Sequence, residues 1–232
     1  MEGQNFVEWL RYAKANRRDE RMAEVWVAPL IDWLLSDCAG RDKLKVLDYG
    51  CGYMDASLGL IAHVNAVYGY DIDTAATRIA ARRMKELGVR GRIFERREDI
   101  PEQSFDLIIV NSVIQYLASE QVLQELLGFL GQRLNHSPLA KIVVSDILPP
   151  SYRSIQDALR SLWVALRTGC LWAMLRHLYF AATKPSKLAL LKLDLATLGH
   201  LARQSGLMMQ VLPENLTPSR QRYSVVLKRV DQ

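Results

Sequence analysis

One glycine turn and a few strand-end polar side chains carry the chemistry legible in this sequence. Asp48-Tyr49-Gly50-Cys51-Gly52 follows the short apolar run Val46-Leu47. Glycines at 50 and 52 permit a tight turn and a close backbone approach to a ligand. Backbone N–H groups at such a turn can receive a carboxylate or a phosphate. Asp71 follows about 20 residues later, the separation at which a strand-end carboxylate meets ribose hydroxyls. Asn111 and Asp146 close two further apolar runs. Ligands of parallel sheets bind outside the carboxyl ends of the strands, so this shared placement says more than any one residue.

Few other residues offer chemistry. Of the four histidines, His63, His136 and His200 read as structural. His177 is the one candidate general base. The three cysteines, Cys38, Cys51 and Cys170, show no paired spacing, so neither a disulfide framework nor a metal site is expected and the cytoplasm is the expected compartment. The net charge of +5 permits an anionic partner without requiring one, because the basic residues are dispersed. The densest basic clusters, Arg17-Arg18 with Arg21 and Arg82-Arg83 with Lys85, read as solvated helix faces. Glu2, Glu8 and Arg11 argue against a signal peptide at the start of the chain.

The elements that must position these residues alternate. Half of the 232 residues are hydrophobic and 24% are charged, which suits one large α/β domain, or one domain with an added subdomain. Helices are expected from Asn5 to Cys38, with Phe6, Trp9 and Leu10 on one face and Pro29 at a start or a kink. Tyr12 and Arg17 are read as surface residues. A strand ends at Asp48, and a helix runs to about Val64 with Asp55 or Ser57 as its cap. A second strand ends at Asp71. The next helix spans Thr74 to Leu87, with Ile79, Met84 and Leu87 inward and Gly88 as its stop. A short strand covers Arg92 to Glu95. Ser104–Val110 is the most strand-like run and should be central, buried on both faces. A helix follows over 119–134, capped by Ser119, and a fifth strand covers 140–146. Such alternation predicts a doubly wound, mostly parallel sheet with helices on both faces.

At this point the sequence resembles the class I S-adenosylmethionine-dependent methyltransferases. The resemblance rests on VLDYGCG (46–52), GYDID (69–73), SFDLIIVNSVIQYL (104–117) and RYSVVLKR (222–229). It implies a seven-stranded Rossmann-like sheet with an antiparallel last strand. It divides the chain into a helical cap (1–40), a cofactor-binding core (41–150), a helical lid insert (151–190) and a C-terminal completion of the sheet (191–232). It implies S-adenosyl-L-methionine as cofactor. Gly50, Cys51 and Gly52 would lie against its methionine portion, with Asp48 ordering the turn or meeting the amino group. Asp71 would hold the ribose, Ile72 would lie along the adenine, and Glu98, Asp99 and Ile100 would surround its amino edge. Asn111, with Ser112 beside it, would sit near the sulfonium. Met54 stands where many members have a third glycine.

A nicotinamide dinucleotide is the rival ligand. Its fingerprint wants glycine or alanine at the position of Asp55, where a carboxylate would repel a pyrophosphate. A non-catalytic protein on the same fold is a further alternative. Residues 151–186 leave the alternating pattern and read as two apolar helices interrupted by Arg160, Arg167, Arg176 and His177. By resemblance they cover the cofactor's open side as a lid; packing alone and contact with a membrane surface are the other readings. Gln115, Tyr116, Trp172 and Arg176 are the candidate substrate contacts. The expected activity is methyl transfer to a small, partly apolar metabolite. A nucleic-acid acceptor is the alternative, disfavoured because Asn111-Ser112-Val113-Ile114 lacks the Pro-Pro-aromatic motif of base-amine methyltransferases and no aromatic-plus-basic stripe stands out.

Overall fold

The computed structural model describes residues 20–41, 43–183 and 189–230. The expected helix around Phe6, Trp9 and Leu10, together with Tyr12, Arg17 and Arg18, lies outside the described residues. In chain order the elements are α1 (Glu20–Asp37), β1 (Lys45–Tyr49), α2 (Asp55–Leu58), β2 (Ala66–Tyr70), α3 (Thr74–Glu86), β3 (Gly91–Phe94), β4 (Leu107–Asn111), α4 (Glu120–Arg133), β5 (Lys141–Ile147), α5 (Ser154–Arg167), α6 (Leu171–Thr183), α7 (Leu195–Gln204), β6 (Leu207–Val211) and β7 (Tyr223–Arg229).

The strands form one seven-stranded sheet in the order β3-β2-β1-β4-β5-β7-β6. Strands β1 to β5 run parallel, and β7 pairs antiparallel with both β5 and β6. The sheet is covered on both faces, and the two-residue period of the strands shows it. Ile108 and Val110 of β4 pack on one side with Leu47, Ile142, Val144, Val225 and Leu227. Leu107 and Ile109 pack on the other with Val46, Val143 and Val226. Leucines of α4 and α7 close the first layer. Val27, Leu30 and Leu34 of α1 close the second. Each such leucine contributes about 2 kcal/mol by leaving water. The chain order turns back between β1 and β4, so the crevice of this sheet opens at their carboxyl ends.

Local signals explain the helix ends. Asp73 caps α3 by accepting from Ala75 N at 2.9 Å, Ser119 caps α4 through Val122 N, and Asp194 caps α7 through Thr197 N at 2.7 Å. Several expectations are corrected. Helix α1 runs through Pro29 rather than starting there. The helix after the glycine turn is only four residues long, and neither Asp55 nor Ser57 caps it; Met54 holds the cap position with φ 62°. Both side chains are taken elsewhere: Ser57 Oγ donates to Asp48 Oδ2, and Asp55 pairs with Arg83 at 2.5 Å. Arg83 is therefore not a solvated surface residue, since it also donates to Tyr53 O. Leu87 is 54% exposed, and Ala76, Ala80 and Met84 form the buried face of α3 instead.

Candidate active site

The glycine turn is built by its neighbours on both sides. Gly50 N and Cys51 N both donate to Tyr70 O, at 2.7 and 3.0 Å, and this ties the turn to the end of β2. Gly52 N donates to Asp71 Oδ2 at 2.8 Å. The expectation that these N–H groups receive an anion is thereby overturned, because carbonyl and carboxylate oxygens of β2 already occupy them. Gly50 sits at φ +77°, and a Cβ there would lie 2.3 Å from Val113 Cγ2. The turn after β1 and the segment after β4 thus touch across the switch point, and only glycine permits it. Gly52, at φ +49°, is the opposite case: a Cβ there meets nothing within 4 Å. That space is open to a ligand.

Two buried carboxylates flank the turn. Asp48 is 3% exposed and Asp71 7%. Asp71 also accepts from Asp73 N at 2.8 Å through Oδ1. Burial pushes the Asp48 pKa up to about 7, against the Ser57 hydrogen bond and with Asp71 adding to the rise. Burial also raises Asp71, despite the backbone donors of Asp73 and Gly52. Neither acid forms an ion pair among the described residues. The turn therefore holds two buried acids whose ionised forms have no cationic partner among the described residues. It suits a ligand that brings a cation and hydroxyl donors, and it disfavours a pyrophosphate. Cys51 is buried, its thiol pKa well raised by that burial, which makes it an inert wall rather than a nucleophile.

The opposite wall follows β4. Asn111 Oδ1 accepts from Ser145 Oγ at 2.8 Å. Ser112 has φ 56° and Asp146 φ 70°, and their side chains bond to each other at 2.6 Å. Two non-glycine residues in the left-handed region at adjacent strand ends hold strain that the surroundings must stabilise. The surroundings are an ion network that sequence reasoning missed. Arg222 reaches Asp146 at 2.6 Å and Asp157 of α5 at 2.5 Å. Thr217 donates to Asp146, Ser219 to Asp157 and Tyr152 to Asp157. Burial alone would lower the Arg222 pKa, but the two carboxylates more than offset it and leave it raised. One signal was available: Asp157 is the sole acid between residues 151 and 183, and a lone acid on an apolar helix asks for a partner.

Other expected site residues scatter. Ile72 is half-buried beside Asp71. Glu98 and Asp99 stand exposed on a short 3₁₀ turn, whereas Ile100 is only 1% exposed and packs in the core. Its side chain is committed there. Gln115 is 3% exposed, and its Oε1 has no hydrogen-bond partner among the described residues. Its carbonyl accepts from Leu191 N, on the return from the insert. Tyr116 is half-buried next to it. Trp172 is 84% exposed, and Arg176 is exposed as well. His177 lies on α6, with its side chain outside the described residues. Among the described residues no cluster of His, Cys, Asp and Glu is arranged to hold a metal ion.

Comparisons with known proteins fit this geometry. Residues 46–133 match the family of the methyltransferase domain. The fold is shared with a SAM-dependent methyltransferase from Aquifex aeolicus: TM-score 0.62, 15% identity, 94% of this chain and 98% of that one covered. It is shared too with magnesium protoporphyrin IX methyltransferase from Synechocystis with bound SAH: TM-score 0.60, 17% identity, 96% and 92% covered. The mitomycin 7-O-methyltransferase MmcR aligns over 95% of this chain but 54% of its own, at TM-score 0.58 and 14% identity. No curated protein matches the sequence.

Proposed function

We propose that this chain is a class I S-adenosylmethionine-dependent methyltransferase that methylates a small, partly apolar metabolite at the carboxyl edge of its sheet. The observation that carries the reading is the buried Asp48–Asp71 pair, which has no cationic partner among the described residues. S-adenosylmethionine supplies an electrophilic methyl group on a sulfonium, an ammonium group and two ribose hydroxyls. The residues fit it. Asp71 keeps lone pairs for ribose hydroxyls while its remaining acceptor sites fix the turn, and Asp48 favours the cationic end through space. Gly52 leaves room for backbone approach, with Gly50 and Cys51 completing the wall. Ile72 lines the adenine side, with Glu98 or Asp99 at its edge. Asn111 presents its amide nitrogen, since its oxygen is held by Ser145, and Ser112 fixes that strand end through Asp146.

Residues 41–150 and 191–232 form the donor-binding core in this reading, 1–40 cap it and 151–190 flank the acceptor. Alignment and exclusion of water are the main contributions of such a site to methyl transfer. Gln115, with an unmatched buried oxygen, and Tyr116 are the acceptor contacts best placed beside Asn111; Trp172 and Arg176 lie further out on α6. His177 on α6 is the candidate base. The apolar composition of residues 151–186 supports an apolar acceptor.

Calorimetric titration with S-adenosylmethionine tests the donor half. One site is expected, and Asp71→Asn should weaken it by about 30-fold, the loss of charge-assisted hydrogen bonds. Unchanged affinity in that variant, or preference for NAD, would remove the assignment. Incubation of a cell extract with protein and methyl-labelled donor tests the acceptor half. Label is expected in the solvent-extractable fraction; label in acid-precipitable RNA or DNA refutes it.

A further inference from the structure

Helix α5 is built inside out. It buries Asp157, Ser161 and Ala165 and exposes Ile155 at 76%, Leu159 at 63%, Trp163 at 41% and Leu166 at 62%. At 3.6 residues per turn these four fall within a stripe roughly 80° wide. Helix α6 adds Trp172 at 84% and Leu175 at 40%. Among the described residues the two helices pack on each other and on Val25 of α1 around three buried apolar side chains, Ala165, Cys170 and Met174. Seven of the fourteen exposed large apolar side chains among the described residues lie on α5 and α6. Patches of this kind mark interaction sites.

The charges around the stripe say what it meets. Arg160 and Arg167 border it, with their guanidinium carbons 4.4 and 3.7 Å from the centre of the Trp163 ring. Arg176 stands beside Trp172 and Leu175 on α6. The only acid of the hairpin, Asp157, is buried and paired with Arg222. The exposed face therefore carries cations alone. Two copies of this face in a symmetric dimer would bring arginines against arginines. A nucleic acid would use the cations and aromatic rings, but it leaves Ile155, Leu159, Leu166 and Leu175 without a partner. An anionic bilayer surface matches all three parts: aliphatic side chains enter the acyl boundary, tryptophans sit at headgroup level, and arginines meet phosphates.

We infer that α5 and α6 form a docking surface for an anionic phospholipid bilayer, on which the protein rests without crossing it. No helix among the described residues is long and apolar enough to span a membrane. The stripe corrects the expectation that no aromatic-plus-basic stripe exists. It appears only when the fold turns α5 with its apolar side outward. The inference goes beyond the methyl-transfer reading and does not rest on it, and its readout requires neither donor nor acceptor.

The test is flotation of the full chain with vesicles of phosphatidylcholine alone or with 30% phosphatidylglycerol at low salt. Anionic vesicles should bind the protein at least tenfold more tightly. Arg160→Gln/Arg167→Gln should weaken binding about 25-fold, at roughly fivefold per arginine. Ile155→Ser/Leu159→Ser and Trp172→Ser should each weaken it at least tenfold. These side chains are exposed, so the thermal midpoint should stay within about 2 °C of wild type. Equal binding to both vesicle types overturns the inference. So does a dimer in sedimentation that Ile155→Ser/Leu159→Ser abolishes, or release from vesicles by single-stranded RNA. Failure of the full chain to float also overturns it.

Discussion

Replacing Asp48 by asparagine isolates the electrostatics of the glycine turn. Asp48 is 3% exposed, and its Oδ2 accepts the Ser57 hydroxyl at 2.7 Å. Burial raises its pKa from 3.8 to about 7. A folded pKa above the unfolded one means that the unfolded chain loses its proton first as pH rises. Stability from this group is therefore full below pH 3.8 and is lost progressively as pH rises to about 7, where the loss levels off. By pH 8 the loss amounts to about 4 kcal/mol, of which about 2–3 kcal/mol accrues above pH 5. Asparagine keeps the shape and the acceptor but cannot ionise. Urea unfolding of both proteins at pH 5 and pH 8, followed by circular dichroism, should show the variant gaining about 2–3 kcal/mol on wild type over that interval. A change under about 0.5 kcal/mol would mean that Asp48 titrates as an ordinary carboxylate, and the argument from burial fails. The same titration links to the donor. A bound cation favours ionised Asp48, so binding at pH 6 should release protons to the buffer, and the observed enthalpy should vary with buffer ionisation heat. Asp48→Asn should suppress that variation.

Two glycines and one arginine give the remaining tests. Gly50→Ala places a methyl 2.3 Å from Val113 Cγ2 at φ +77°, and it should cost about 2–4 kcal/mol in urea unfolding, partly recovered by Val113→Ala. Gly52→Ala meets no atom within 4 Å, so it should cost only about 1 kcal/mol of stability. Its methyl fills the space assigned to the donor, and donor affinity should fall at least tenfold by calorimetry. Arg222→Met leaves Asp146 and Asp157 buried without their cation, and it should destabilise by about 3–5 kcal/mol. Adding Asp146→Asn and Asp157→Asn should restore part of that loss.

The sheet was legible because its signals are local. The run from Leu107 to Val110 is continuously apolar and rich in β-branched residues, and a strand buried on both faces needs that composition. Ser119 caps the helix that follows it, as its type and place suggest, because a capping side chain needs only a backbone N–H two or three residues away. The errors share one cause. Ser57 and Asp55 have the right types for caps, but a buried carboxylate at 48 and a guanidinium at 83 claim them first. Propensity weighs a residue against its sequence neighbours, whereas these partners come from the β1–β2 pairing and the placing of α3.

The same limit explains why half of the site was hidden. Gly50, Gly52 and Asp71 announce themselves by type and spacing, but what they do to one another is set in space. The turn N–H groups that sequence assigns to a ligand are spent on Tyr70 O and Asp71. With those donors spent, the turn cannot cradle an anion; what it offers is open backbone at Gly52 and two acids that want a cation. The network around Arg222 draws on β4, β5, α5 and the approach to β7, from Ser112 to Arg222 along the chain. It also dictates how α5 is turned. Once Arg222 draws Asp157 inward, the side of α5 bearing Ser161 and Ala165 must follow. The side with Ile155, Leu159 and Leu166 is then forced outward, against what hydrophobic burial alone would choose. A helix oriented by an ion pair rather than by its apolar stripe frees that stripe for something other than folding.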